Sequence, residues 1–336
     1  PVTEGWTVDP WGGVVADGCL YGLGVSNMKA GDAAYFWAAK TLIDAGVRLR
    51  GDLVLSFVVG ELQGGIGTKA MVDAGLRADC FINAEPTDLN GLTLHAGAFD
   101  YTIELTGKTR HVSKREEAVD ALRVAGRLAD RIAGLAFSGA ASDEHLSVNR
   151  AHVGTLRAAL GRNFQDWRPP QVADFARLTG TCRYAPSQNE DGVAADMRAL
   201  LDELEAEHPG LKAEFTLNHR AGRGTGTMRP FEANRNGPAA RAVAAAYRRV
   251  RGAHQRQGAI PPYCFYGTDA SHLSHGGGMD GVVCGPGGKF NTMPDERVEI
   301  ADYFDMIRIN LLAILMICRP LDPALAAGTA ELEVAA

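Results

Sequence analysis

The chain has 336 residues, enough for a sizeable core and two structural units. Hydrophobic residues make up 46% and charged residues 22%, the balance of an ordinary globular protein, and 34 Lys and Arg against 40 Asp and Glu leave a formal charge of −6. This composition gives no reason to expect nucleic acid as a partner, because no dense basic run is present. The longest apolar run, Leu311 to Cys318, is too short to span a membrane. Cysteines 19, 80, 182, 264, 284 and 318 are scattered singly with no Cys-x-x-Cys spacing, so reduced core thiols and a cytoplasmic protein are the expectation. The sequence starts at Pro1 without a signal-peptide pattern.

Pro1 to Gly24 reads as loop and short strand, rich in glycine and tryptophan. Gly22-Leu-Gly24 resembles a dinucleotide loop only superficially, since no long strand precedes it and the third glycine is missing. A helix with a broad apolar face runs from Met28 and closes at Ala45-Gly46. Leu53 to Val59 is a run of β-branched and aliphatic residues, predicted as a strand buried on both faces of a parallel sheet. Gly60 then permits a sharp turn that sets Glu61 just past the strand end, where open α/β sheets place their ligands. A helix over about 68–74 and a strand over 79–83 deliver Glu85 to the same edge.

From 97 to 219 the pattern changes to strand, helix, strand, strand, helix, strand: 95–105, 116–135, 151–160, 173–184, 190–207 and 211–217. That is the order of a ferredoxin-like α+β unit. The loop from His219 to Gly226 marks a boundary, with Arg220 and Arg223 read as solvated hinge residues. A long Ala-rich helix over 237–250, a helix from Ala270, a buried strand over 281–284 and a closing helix over 301–318 resume the α/β pattern. Residues 321–336 read as a loosely attached tail. The predicted fold class is therefore α/β: a doubly wound, mostly parallel sheet domain (1–96 and 220–320) interrupted by an inserted α+β domain (97–219).

Several stretches together resemble the M20 metallopeptidase and deacylase family. They are Gly5-Trp6-Thr7-Val8-Asp9-Pro10, Tyr21 to Gly31 with Ser26-Asn27-Met28-Lys29, Gly60-Glu61 and Ala84-Glu85-Pro86-Thr87. Thr106-Gly107-Lys108 to His111-Val-Ser113, Gly267-Thr268-Asp269, and Gly285-Pro-Gly287 before Pro294-Asp295-Glu296-Arg297-Val298 continue them in family order. The resemblance implies a lid and dimerisation role for the inserted domain, hence a homodimer. It implies hydrolysis of an amide C–N bond in an N-acyl amino acid or similar small carboxylate, as a deacetylase does, at two zinc ions sharing a water. Carried over, Glu61 falls on the general base and Glu85 on an acidic metal ligand. His111 falls on the lid histidine that reaches a partner subunit's site, and Arg183 on a lid arginine. Gly285 and Gly287 fall on the loop that seats a substrate carboxylate.

The sequence also departs from that pattern. Asn27 stands at the bridging Asp position, and a neutral amide holds two cations poorly. Leu62 replaces a ligand Glu, Asn291-Thr292-Met293 stands where a ligand His is carried, and the family's His-x-Asp motif would precede Pro1. His272 and His275, three residues apart, are the spare imidazoles of the region. The expectation is a degenerate metal site in which zinc retention is doubtful. The alternative is a non-catalytic or metal-independent relative that binds a small acid or a protein partner.

Overall fold

The computed structural model describes residues 4–166, 168–218 and 228–334; the side chains of residues 333 and 334 are not described, and the loop carrying His219, Arg220 and Arg223 lies outside the described residues. In chain order come β1 (Val15–Ala16), β2 (Cys19–Tyr21), α1 (Ala30–Asp44), α2 (Ile66–Asp73), β3 (Cys80–Asn83), β4 (Gly91–Leu92) and β5 (Leu94–His95). Then follow β6 (Gly97–Thr106), α3 (Ala121–Ala133), α4 (Asp143–Ser147), β7 (Arg150–Ala159), β8 (Phe175–Tyr184), α5 (Glu190–Glu207) and β9 (Lys212–Asn218). The last third holds β10 (Phe231–Glu232), α6 (Pro238–Arg251), β11 (Gln257–Gly258), α7 (Ala270–His275), β12 (Asp280–Val283), β13 (Arg297–Glu299), α8 (Ile300–Cys318) and α9 (Pro323–Val334).

The segment 97–218 builds its own sheet in the order β7-β8-β6-β9, antiparallel throughout, which is the ferredoxin-like arrangement expected of it. Alternate residues Phe99, Tyr101, Ile103 and Leu105 of β6 are buried against α3 and α5, so the two-residue period of the strand meets the helical stripe in one core. The helices start where the sequence supplies a cap: Asp120 accepts from Arg123 N at 3.1 Å and Asn189 from Gly192 N at 2.9 Å.

The residues on either side of that segment share a second sheet, ordered β11-β4-β12-β3. β3 and β12 run parallel, as do β4 and β11, but β4 meets β12 antiparallel. The sheet is thus short and mixed, where a mostly parallel one was expected. Ala-rich α6 begins at Pro238, whose missing N–H costs nothing at a first helical position, and ends at Gly252 with φ of 68°. Its small side chains let it lie close to α8 and to Val282 and Cys284 of the sheet.

Two other expectations are corrected. Leu53 to Val59 pairs with no strand among the described residues, and Phe57 and Val59 are 58% and 80% exposed. It is held from the side: the Tyr35 hydroxyl oxygen lies 3.3 Å from Ser56 O, the Tyr35 and Phe57 rings lie 5.2 Å apart, and Gly67 of α2 packs on Val59 O. The apolar run reported a preference for a pleated, buried setting; a ladder also needs a neighbouring edge, which composition does not report. The tail after Leu321 is helix α9, with Leu332 packed on the α6–α8 core.

Candidate active site

Glu61 sits in a short helical turn, Glu61–Gln63, bracketed by glycines with left-handed φ: Gly60 at 83°, Gly64 at 88° and Gly65 at 70°. A Cβ on Gly65 would lie 2.5 Å from Asp269 Oδ1, so this glycine is what lets the Glu61 loop close on the start of α7. Glu85 leaves the end of β3 across the Ala84 peptide, which two glycines flank. A Cβ on Gly31 of α1 or on Gly285 would fall 2.2 Å from Ala84 O. Gly31→Ala is therefore expected to cost about 1–3 kcal/mol through overpacking, read as a lower urea midpoint with unchanged slope; an unchanged midpoint would refute the contact.

Asn27, Asp32, Glu61, Glu85 and Asp269 line one cavity of ≈ 1650 Å³ that runs along the free side of β3. Glu85 is buried, and burial above all, then the negative charges of Glu61, Asp269 and Asp32, push its carboxyl well above the usual range. Asp269 is also raised, again chiefly by burial, with a hydrogen bond from Thr68 and the charge of His272 opposing. Its Oδ1 is buried with no hydrogen-bond partner among the described residues. Tyr35 donates to Asp32 Oδ1 at 2.7 Å, and burial first, then Asp32, raise its hydroxyl. Asp32 and Asp269 were not singled out from sequence as site residues; the single acid in the first turn of α1 and the Gly-Thr-Asp turn were the only signals.

Below this cluster lies His95, wholly buried, its Nε2 3.0 Å from Thr268 Oγ1 and its Nδ1 3.0 Å from Ala96 O. Burial foremost brings it down to about 4, so it is a neutral packing and hydrogen-bonding residue at pH 7.

Of the remaining sequence-predicted residues, Asn27 shares this cavity and the others do not line it. Asn27 is exposed to the cavity and its backbone N–H donates to Glu296 at 2.9 Å. His111 is exposed in the 97–218 segment; its Nδ1 is 2.9 Å from Ser113 Oγ and accepts from Ser113 N at 3.3 Å, which leaves Nε2 as the protonated, outward nitrogen. Arg183 is half-buried on β8, near enough to His95 to disfavour its protonation. Gly285 and Gly287 are buried loop contacts against Ala84 and Ser26 and do not line the cavity. His272 and His275 each place Nε2 2.7 Å from a backbone carbonyl, of Gly64 and Pro230.

The donor set can be tested against the two zinc ions that the resemblance implies. The cavity offers carboxylates, the amides of Asn27, Gln63, Asn83, Asn236, Gln257 and Asn310, and the thiols of Cys80 and Cys318, which burial pushes up and so keeps from the thiolate form; Leu62 offers nothing, and the nearby imidazoles already bond to carbonyls. Among the described residues, the trio of acids with ligand atoms within 4.8 Å of one another is Asp88, Glu299 and Asp302, away from Glu61 and Glu85. Lys289 neutralises it at 3.0 Å from Asp88 and 2.7 Å from Glu299, and Arg251 bonds to Asp302. Zinc favours imidazole and thiolate nitrogen and sulfur, with carboxylate as a complement. The described residues do not fit a two-zinc centre. Elemental analysis after dialysis against zinc is expected to give well under two ions per chain; two retained ions would overturn this.

The fold and the site define an α/β protein with an acid-lined cleft at its strand ends. The chain belongs to the peptidase family M20/M25/M40, whose profile matches residues 1–315. It is 27% identical to the N-formyl-4-amino-5-aminomethyl-2-methylpyrimidine deformylase of Bacillus subtilis (strain 168), over 94% of this chain and 76% of that enzyme. It is 24% identical to the succinyl-diaminopimelate desuccinylase of Helicobacter hepaticus, over 61% of this chain and 53% of that one. A tripeptidase of Staphylococcus aureus superposes with a TM-score of 0.67 at 21% identity, covering 90% of this chain and 76% of that structure, which shows the shared fold. No helix among the described residues is long and apolar enough to cross a membrane.

Proposed function

We propose that this chain carries the cleft of a hydrolase that opens an amide C–N bond, removing an acyl group from a small substrate that bears a carboxylate. The observation that carries this reading is the meeting of Glu61 and Glu85 in one cavity at the end of β3, within a chain of the M20 family. Glu61, half-buried at the cavity wall, takes the proton from the attacking water and passes it to the leaving nitrogen. Glu85, held protonated by burial and by its acidic neighbours, donates a hydrogen bond at the reacting centre. The names of the relatives, a deformylase and a desuccinylase, favour an acyl group on nitrogen over a peptide.

His111 does not line this cleft, and on this reading it serves a second copy, with its Nε2–H stabilising the oxyanion. Segment 97–218 is then the lid and dimerisation domain, with Arg183 meeting the substrate carboxylate, while the buried Gly285–Gly287 loop backs Ala84 and Ser26 from behind the cavity. His111→Ala is expected to lower kcat about 100-fold with no loss of stability, and mixing His111→Ala with Glu61→Gln chains should restore part of the activity. A mixture with no recovery would sink the shared site. The reading as a whole is tested by amine release from N-formyl, N-acetyl and N-succinyl amino acids. No release from any of them would overturn it.

A further inference from the structure

Glu296, directly before β13, is buried at 4% exposure, and its carboxylate meets three backbone N–H groups of one turn. Gly24 N donates to Oε2 at 3.0 Å, Ser26 N to Oε1 at 3.0 Å and Asn27 N to Oε1 at 2.9 Å. Gly24, at φ of 74°, bends the turn so that its amides converge, as in the backbone nests that bind anions. The same turn is tied from the other side, where the Gly288 N–H donates to Ser26 Oγ at 2.8 Å. Gly287 has a Cβ direction blocked by Ser26 Oγ at 2.4 Å, which keeps the two loops in contact. The next loop is fastened in turn: Thr87 N donates to Gly285 O at 3.2 Å and Asp88 N to Gly287 O at 2.8 Å, directly after Glu85. Asp295 anchors a further piece, accepting from Thr7 N at 2.8 Å and Thr7 Oγ1 at 2.7 Å.

We propose that Glu296 is a positioning residue: its carboxylate is the built-in anion that holds the Gly24–Asn27 turn and so sets where the Asn27 side chain stands in the cleft. An anion fits where an uncharged side chain does not. A carboxylate can accept all three N–H groups on two oxygens, whereas an amide has one acceptor oxygen and would turn its NH₂ towards one of the three donors. The Asn27 amide, exposed to the cavity beside Glu61 and Glu85, then contacts substrate from a turn whose backbone cannot drift. The catalytic part of this role rests on the hydrolase reading above; the structural part does not.

The test uses the full chain with Glu296→Gln and Glu296→Ala, alone and combined with Asn27→Ala. Amide exchange of the 24–27 segment is expected to rise at least about tenfold in Glu296→Gln, the loss of charge-assisted bonds, while the thermal midpoint stays close to that of the parent. With an N-acyl amino acid as substrate, kcat falls and KM changes little, and the Glu296→Gln effect on kcat disappears in the Asn27→Ala background. Unchanged exchange at 24–27 in both Glu296 variants overturns the proposal, as does an additive loss of kcat in the double variant. If the parent chain releases no amine, the hydrolase reading fails by itself, and exchange at 24–27 decides the anchoring role in either direction.

Discussion

Glu61→Gln is expected to lower kcat for amide cleavage by about 10²–10⁴-fold, the range a positioned general base supplies, with KM nearly unchanged. The amide keeps the size of the side chain and its place between Gly60 and Gly64, so folding is spared. It cannot accept the proton of the attacking water. A second consequence separates this role from simple packing. Glu61 is the foremost charge that holds the Glu85 carboxyl high, after burial. Removing it should move the alkaline-side inflection assigned to ionisation of Glu85 to lower pH in the residual activity. Equal turnover in the variant and the parent across a range of N-acyl amino acids would remove Glu61 from the mechanism.

Glu85→Gln should make the protein relatively more stable as pH rises. The Glu85 carboxyl stands well above its ordinary range in the folded chain, through burial and then through Glu61, Asp269 and Asp32. Unfolded, it titrates at about 4.3. Between those two values the folded state binds a proton that the unfolded state has released. Stability of the parent therefore falls as pH rises through the unfolded value, by at most about 1.4 kcal/mol per pH unit for one proton. The penalty is absent at pH values below the unfolded one and persists at neutral pH. Glutamine does not titrate, so the difference in unfolding free energy between variant and parent should grow between pH 4 and 7. Parallel stability curves over that interval would show that Glu85 is ionised alike in both states.

The two variants read the same electrostatics from opposite sides. In the first, a neighbour of Glu85 loses its charge; in the second, Glu85 loses its proton equilibrium. Acids packed together at a strand end raise one another only where water is excluded, and the buried, unpartnered Oδ1 of Asp269 belongs to the same arrangement.

Much of the fold was legible in residue order. The 97–218 segment follows its predicted strands and helices closely, because each alternation of apolar residues reports a local period and each cap is a local bond: α5 begins and ends where Asn189 and His208 place it. Glu61 and Glu85 were legible as partners because Gly60 and Pro86 mark turns at the ends of apolar runs. Other features were decided only by tertiary contacts. The Leu53–Val59 run has every local mark of a central strand, yet no described edge pairs with it, and pairing is a property of a neighbour. Residues 323–334 form a helix because Leu332 finds the α6–α8 surface to cover. Asp32 and Asp269 are ordinary helix-start acids in sequence and join Glu85 only because Gly31 and Gly65 allow close approach of distant backbones. Glu296 meets amides some 270 residues earlier in the chain, at |i−j| of 269 to 272. Periodicity and turn chemistry act over a few residues and can be read directly; convergence of charges and amides across hundreds of residues exists only once the chain has closed on itself.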